Sequence, residues 1–371
     1  MNEYNRVYAL IYTDNIRKNL LNIKNRVGAA AVMPIIKADA YGHGSIPAAK
    51  ATDDLSECFG VATIEEATEL RNAGITKPIL ILGTLSPEYF GVAVKYDITV
   101  NVYTAEMAKK LSCVASQENK PASVHLSVDT GMNRVGLFCD DRGVEEAKKI
   151  CSYSNLRVEG IFSHFATSDE ADKTEALIQA KRFDEFCKKL ENEGLHFKYK
   201  HLRNSGACCD LFYQGGNLVR PGIILYGLYP SDKVSRELEL FPAMELKSHV
   251  AYIKRIPSGE GVSYGRTYIT DREITVATIP VGYADGYPRL LSGRGRVIIN
   301  GHYAPIIGRV CMDQFMVDIS GIDGVSCDDT VTLIGTDGDC AVTVDEIADI
   351  CGTINYEIVC GISKRVPRIY K

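Results

Sequence analysis

Up to about residue 230 the chain repeats one pattern, a short apolar run followed by a longer stretch with apolar residues at helical spacing. The candidate strands are 32–36, 58–62, 79–82, 98–102, 123–128, 158–162, 198–202 and 218–221. Runs that stay apolar without alternating fit strands buried on both faces, as in a parallel sheet. Between them lie helical stretches such as Asp14–Arg26, Ile64–Ala73, Ala105–Ser116 and Thr174–Glu193, with Asp14 and Thr63 as capping residues. Eight such units predict an α/β fold, a closed (β/α)8 TIM barrel. A doubly wound open sheet is the competitor, but no dinucleotide glycine fingerprint follows the first strand. From about residue 240 the texture changes to β-rich runs broken by glycine turns, among them Ala243–Arg255, Glu273–Pro280 and Val331–Ile334. A separate, mostly-β domain is expected there. The segment Arg6–Ile11 is also β-like and is expected to pair with it. The expected division is a barrel over 9–236, with 1–8 and 237–371 forming the C-terminal β domain.

Composition narrows the function. A chain of 371 residues exceeds the usual size of one core, and a net charge of -5 without a dense Lys/Arg block leaves no footprint for nucleic acid or an anionic membrane. The start, Met1-Asn2-Glu3-Tyr4-Asn5-Arg6, has no basic segment leading into a long apolar one, so a cytoplasmic protein acting on small molecules is expected. The twelve cysteines are scattered, with no CxxC and no Cys/His cluster at metal spacing. They read as reduced thiols, and no metal site is expected.

The first apolar run ends directly on a lysine in Val32-Met33-Pro34-Ile35-Ile36-Lys37-Ala38-Asp39-Ala40-Tyr41-Gly42-His43-Gly44. A partly desolvated amine at a strand end loses its charge readily and can form a Schiff base with an aldehyde. The plainer alternative is a surface lysine just past a strand. In a parallel barrel, functional residues come from the C-terminal strand ends, and phosphate is commonly held after strands seven and eight. There the chain carries His201-Leu202-Arg203-Asn204-Ser205-Gly206 and Val219-Arg220-Pro221-Gly222-Ile223. The Gly222 and Ile223 amides, the Ser205 hydroxyl and the Tyr41 phenol suit one phosphate. A helix cap at Asn204-Ser205 and a plain turn at Pro221-Gly222 explain the same residues.

Further motifs stand in a fixed order: Arg134 in Asp129-Thr130-Gly131-Met132-Asn133-Arg134, Tyr264 in Val262-Ser263-Tyr264-Gly265, Gly282-Tyr283-Ala284-Asp285-Gly286-Tyr287-Pro288-Arg289, Gly308-Arg309-Val310-Cys311-Met312-Asp313-Gln314 and Arg365-Val366-Pro367-Arg368. With the lysine, Asn204-Ser205 and Arg220-Pro221-Gly222 motifs, this order resembles the alanine racemase family along essentially the whole chain. The resemblance implies a pyridoxal 5'-phosphate enzyme acting on a small amino acid, a head-to-tail homodimer with active sites shared across the interface, and D-alanine for peptidoglycan. It implies that Lys37 attaches the cofactor and serves one face of the substrate, while Tyr264 of the other subunit serves the opposite face. Lysine amines and tyrosine phenols ordinarily titrate near roughly 10, so both roles require tuning by cations or desolvation. By resemblance Arg220 faces the pyridine nitrogen, His201 braces Arg220, and His164 lies near the cofactor. Tyr41, Asn204, Ser205, Gly222, Ile223 and Tyr356 belong to the cofactor site. Arg134, the Met312 amide, Asp313 and Tyr283 belong to the substrate site, with Arg289 and Arg309 on its access path.

Two points depart from the pattern or leave it open. Many members carry a carbamylated lysine two residues before the Asp-Thr-Gly motif, where this chain has Ser127. A serine supplies no anion, and the hypothesis is that a bound chloride or water positions Arg134 instead. Serine racemases share this fold, and one extra hydroxyl separates substrates by only about 1–3 kcal/mol unless a hydrogen bond is built for it. Tyr356 narrows the pocket toward alanine, whereas Asn355 offers a polar group. A decarboxylase on the same barrel would need a carboxylate facing the pyridine nitrogen, and Arg220 opposes that reading.

Overall fold

The computed structural model describes residues 6–371. Two compact units emerge, Asp14–Ala40 with Gly44–Phe241, and residues up to Thr13 with Tyr41–His43 and Pro242–Lys371.

In the first unit eight parallel strands form a ring: Ala31–Val32, Phe59–Val61, Ile79–Ile81, Ile98–Val102, Ala122–Asp129, Leu156–Phe162, Tyr199–His201 and Leu218–Val219. The central strands are buried almost throughout, which is why they are mainly apolar without the alternation of a half-exposed strand, with Thr99, Asn101, Ser123, His125 and Ser127 as buried polar exceptions. The last strand pairs with the first through Leu218 beside Ala31. Strand seven joins strand eight through the Asn217 and Arg220 amides, which donate to Lys200 O at 3.0 Å and Arg203 O at 2.9 Å. The first run is less regular than its apolarity predicts. Pro34 has no N–H to give and the regular strand ends at Val32, yet pairing runs on past it. The Met33 and Ile35 amides donate to Val219 O and Pro221 O at 2.9 Å. At the Ile35–Gly60 bridge the Gly60 amide donates to Pro34 O at 3.0 Å, and the Ile36 amide donates to Gly60 O at 2.9 Å.

The helices fill the intervals between strands. Thr63 caps Ile64–Asn72 in a capping box with Glu66. Asp14, by contrast, lies inside the helix Thr13–Val27 as part of its first turn and does not precede it.

The second unit is built on a ten-stranded sheet. Its strand Val7–Ile11 pairs antiparallel with Met244–His249 and parallel with Arg368–Tyr370. A boundary between residues 8 and 9 therefore falls inside one strand, in which Val7, Ala9 and Ile11 form the buried face. A small hairpin, Gly261–Val262 with Tyr268–Ile269, carries Tyr264 in its connecting turn.

Candidate active site

Lys37 ends the first barrel run, and the backbone behind it turns left-handed. Ala38, Asp39, Ala40 and Tyr41 all have φ between 52° and 53°. Each such non-glycine residue costs roughly 1–2 kcal/mol, so the turn persists only because its surroundings fix it. The Ala40 amide donates to Ile36 O at 3.0 Å, and the Gly44 amide donates to Asp39 O at 2.8 Å. Asp39 Oδ1 accepts from the Ser45 amide at 2.8 Å, and the Ala38 amide donates to Glu66 Oε1 at 2.7 Å.

Arg220 is the centre of the barrel site and is buried. Its Nη1 donates to His201 Nδ1 at 2.8 Å and to His201 O at 2.7 Å. Its Nη2 donates to Ser163 O at 2.6 Å and approaches His164 Nδ1 at 3.2 Å. A guanidinium has no acceptor, so both histidine Nδ1 atoms must accept. His201 then carries its proton on Nε2 and donates it to His125 Nδ1, 2.9 Å away. Gly160 makes room for this chain, since a Cβ there would lie 2.6 Å from the His125 ring.

Burial and the neighbouring cations keep the histidines neutral. Burial, reinforced by Arg220, pushes His125 down to about 3. Burial, then Arg220, Arg134 and Lys37, does the same to His164, also about 3. His201 is lowered by burial, Arg220 and His125. Arg220 itself falls to about 9 through burial and, to a lesser degree, Arg134, against the opposing pull of Cys208. It still holds its proton at neutral pH. Arg134 is exposed on the loop after strand five, where Asp129 Oδ1 accepts from the Gly131 and Asn133 amides at 2.9 and 3.0 Å.

After strand seven, Asn204 caps the short helix Ser205–Asp210, and its Oδ1 also accepts from Ser168. Ser205 Oγ accepts from the Gly222 amide at 2.9 Å, tying the two strand ends together. The cap reading of Asn204 therefore holds, while Ser205 is turned to the neighbouring loop. Ile223 opens a 3-10 turn, and among the described residues its amide meets no acceptor. Arg220 Nε likewise has no protein acceptor among them. A backbone donor and a cationic donor of this kind would suit the phosphate and the ring nitrogen of a pyridoxal phosphate.

In the second unit the rings of Tyr41 and Tyr356 lie 5.9 Å apart. Gly42, between Tyr41 and His43, is pinned by Arg368, whose Nε donates to Gly42 O at 3.1 Å. Asn355 donates to Asp345 Oδ1 at 2.7 Å, so its amide group serves the fold. The loops of Tyr283 and Met312 run side by side, with the Tyr283 and Ala284 amides donating to Cys311 O and Met312 O at 3.0 Å. Ser263, next to Tyr264, donates to Arg309 O at 2.7 Å. Asp313 accepts from Arg365 Nη2 at 2.9 Å, and Arg365 also reaches the buried Asp285, 3.5 Å away. Burial opposes charge on Asp285, but hydrogen bonds from Arg6 and the Gly282 amide outweigh it and hold this carboxyl below its usual range. Tyr264, Met312 and Tyr283 are 69%, 53% and 43% exposed.

Three contributors escape a reading of the sequence. His125 is a polar residue inside an apolar strand, and Gln179 is buried on the apolar face of the helix Thr174–Asn192. Gln179 fastens one loop by donating to His164 O at 3.0 Å and accepting from the Ala166 amide at 2.9 Å, and its Nε2 also reaches Thr130 Oγ1 in the loop after strand five at 3.3 Å. Glu66 looks like an ordinary helix cap until the fold brings Lys37 beside it. Ser127, which replaces the family's carbamylated lysine, is buried, and its hydroxyl has no hydrogen-bond partner among the described residues.

Comparison with known proteins places the chain in a family. The alanine racemase N-terminal domain matches residues 11–230 and the alanine racemase C-terminal domain matches residues 243–370. An alanine racemase of Clostridium perfringens strain SM101 is 46% identical over 367 residues, 98% of this chain and 95% of that protein. The solved alanine racemase of Clostridium difficile 630 is 41% identical with a TM-score of 0.95, covering 100% of this chain and 97% of that one. A Bartonella henselae alanine racemase solved with covalently bound pyridoxal phosphate is 28% identical with a TM-score of 0.87, covering 99% of each chain. The chain belongs to the alanine racemase family, and its activity is that isomerase activity.

Proposed function

We propose that the chain interconverts L- and D-alanine with pyridoxal 5'-phosphate, using Lys37 and Tyr264 as bases on opposite faces of the substrate. The observation that carries the reading is Arg220, whose two terminal nitrogens are committed to histidines and carbonyls while Nε keeps a proton without a protein acceptor. The cofactor, when bound through Lys37, makes the substrate's Cα proton acidic. Lys37 takes or returns that proton on one face, and the Tyr264 phenol does so on the other. Arg220, lowered only to about 9, keeps its own proton at neutral pH. The Ser205 hydroxyl and the Ile223 amide hold the phosphate with Tyr41 and Tyr356, while the Gly222 amide donates to Ser205 Oγ and so orients that hydroxyl, and Asn204 fixes the loop that carries Ser205. His164, held neutral, adds no second positive charge beside Arg220. Arg134 and the Met312 amide bind the substrate carboxylate, with Asp313 and Tyr283 shaping that side.

Tyr264, Met312 and Tyr283 act in the active site of a second copy, making the homodimer the working unit. Their exposure supports this, because large side chains left uncovered mark contact surfaces. A place in the cytoplasm, with D-alanine passing to peptidoglycan, completes the proposal. Among the described residues no helix is long and apolar enough to cross a membrane. Coupled assays for D-alanine and D-serine, with carbon dioxide release as control, test the reaction. D-alanine as the main product is expected, and decarboxylation without inversion would refute it. Lys37→Ala should abolish the absorbance of the lysine-bound cofactor, and an intact band would remove Lys37 from its role.

A further inference from the structure

We infer that Glu66 is a positioning residue for Lys37, holding the left-handed turn from which the lysine projects. The inference rests on the proposed role of Lys37 but stands on its own geometry. Glu66 is the third residue of the helix Ile64–Asn72, where a glutamate ordinarily does no more than close a capping box. Here its two oxygens face different segments. Oε2 accepts from the Ala62 amide at 2.7 Å and from the Thr63 amide at 3.3 Å. Oε1 accepts from the Ala38 amide at 2.7 Å. One carboxylate therefore bridges the end of the second barrel strand to the peptide immediately after Lys37.

The chemistry of that bridge is specific. Every facing group is an N–H donor, so both oxygens must be acceptors, and only an ionised carboxylate offers that. Glutamine would satisfy one side and set its own NH2 against a backbone N–H on the other. Aspartate would keep two acceptors but lacks the length to span both segments. Ala38 is also where the left-handed run begins, with φ 52°. Asp39 performs the matching task farther along by accepting from the Ser45 amide at 2.8 Å. The turn is thus fastened by a carboxylate at each of two points, and the Glu66 contact is the one adjacent to Lys37.

The test compares Glu66→Gln and Glu66→Asp with Thr63→Ala, which weakens the same helix cap without touching the Ala38 contact. Cofactor is stripped from each holoenzyme with hydroxylamine, and the rate at which added pyridoxal phosphate restores the lysine-bound absorbance is measured beside kcat and KM for alanine. Both Glu66 variants should re-form the band and turn over about tenfold more slowly or worse, with KM changed by no more than about twofold. Thr63→Ala should match the wild type in reattachment and kcat despite any loss of Tm. Glu66 variants that match Thr63→Ala in reattachment and kcat would overturn the inference. If the wild type itself shows no lysine-bound band, the cofactor reading fails instead, and the two failures stay distinct.

Discussion

His201 Nε2 lies 2.9 Å from His125 Nδ1, so the Arg220 guanidinium heads a one-way chain of donors running into the barrel. The direction is fixed because arginine can only donate, so His201 accepts on Nδ1 and donates from Nε2 to His125 Nδ1. A second proton on either ring would break the chain.

Acid should therefore destabilise the protein through its histidines. His125 and His164 have folded pKa values of about 3, below the ordinary value near 6.5. Between those limits the unfolded chain binds more protons than the folded one, so stability is complete above about pH 6.5 and is lost as pH falls toward 3. Each histidine adds a slope of about 1 kcal/mol per pH unit within that window. Urea unfolding at pH 7 and pH 5 reads it, and a flat profile would contradict the neutral chain.

Tyr264→Phe should retain the lysine-bound absorbance while losing proton exchange from one enantiomer preferentially, by on the order of a hundredfold or more. Isotope exchange from L- and D-alanine in deuterium oxide measures each face separately. Equal loss from both would argue against a base confined to one face. Dilution to monomers should abolish activity if Tyr264 works in the partner's site.

Ser127 places an unsatisfied hydroxyl in the barrel wall. Ser127→Ala removes a buried polar group that gains nothing from the protein, and the variant should be as stable as the wild type or gain about 1 kcal/mol. Chemical denaturation in chloride and in chloride-free buffer reads the change. A loss of stability seen only with chloride would show the hydroxyl serving an anion.

Gly42→Ala should destabilise the second unit by about 2 kcal/mol or more, measured by thermal unfolding. At φ +81° an alanine is strained, and its Cβ would collide with Val359 O. Full stability in this variant would mean the Tyr41–His43 turn can move away from that carbonyl.

The barrel was legible because strands buried on both faces leave runs that nothing but a core can use, as in Ile79–Ile81 and Ile98–Val102. Pro34 interrupts the regular strand without ending its pairing, because the Met33 and Ile35 amides on either side of it donate to Val219 O and Pro221 O. Lys37, Arg220 and Tyr264 were visible through their motifs. The handedness of the turn behind Lys37 was not, because Ala38, Ala40 and Tyr41 have no local preference for φ near +50° and adopt it under tertiary restraint. His125, Gln179 and Glu66 were hidden for a related reason. Their partners lie 76, 15 and 28 positions away, and a buried polar side chain reveals its purpose only when its acceptor or donor arrives.

The Arg368 side chain, fastened to Gly42 O, also sets a timetable for synthesis. The strand Val7–Ile11 emerges from the ribosome among the first segments and waits for Arg368–Tyr370 before its parallel edge is covered. The Tyr41–His43 turn waits for the same arginine. Barrel strands can pair with neighbours while translation proceeds, whereas the Tyr41–His43 turn is secured only after nearly the whole sequence has been made. A chain that stops before residue 368 leaves Gly42 O without this donor and the Val7–Ile11 strand without its parallel neighbour.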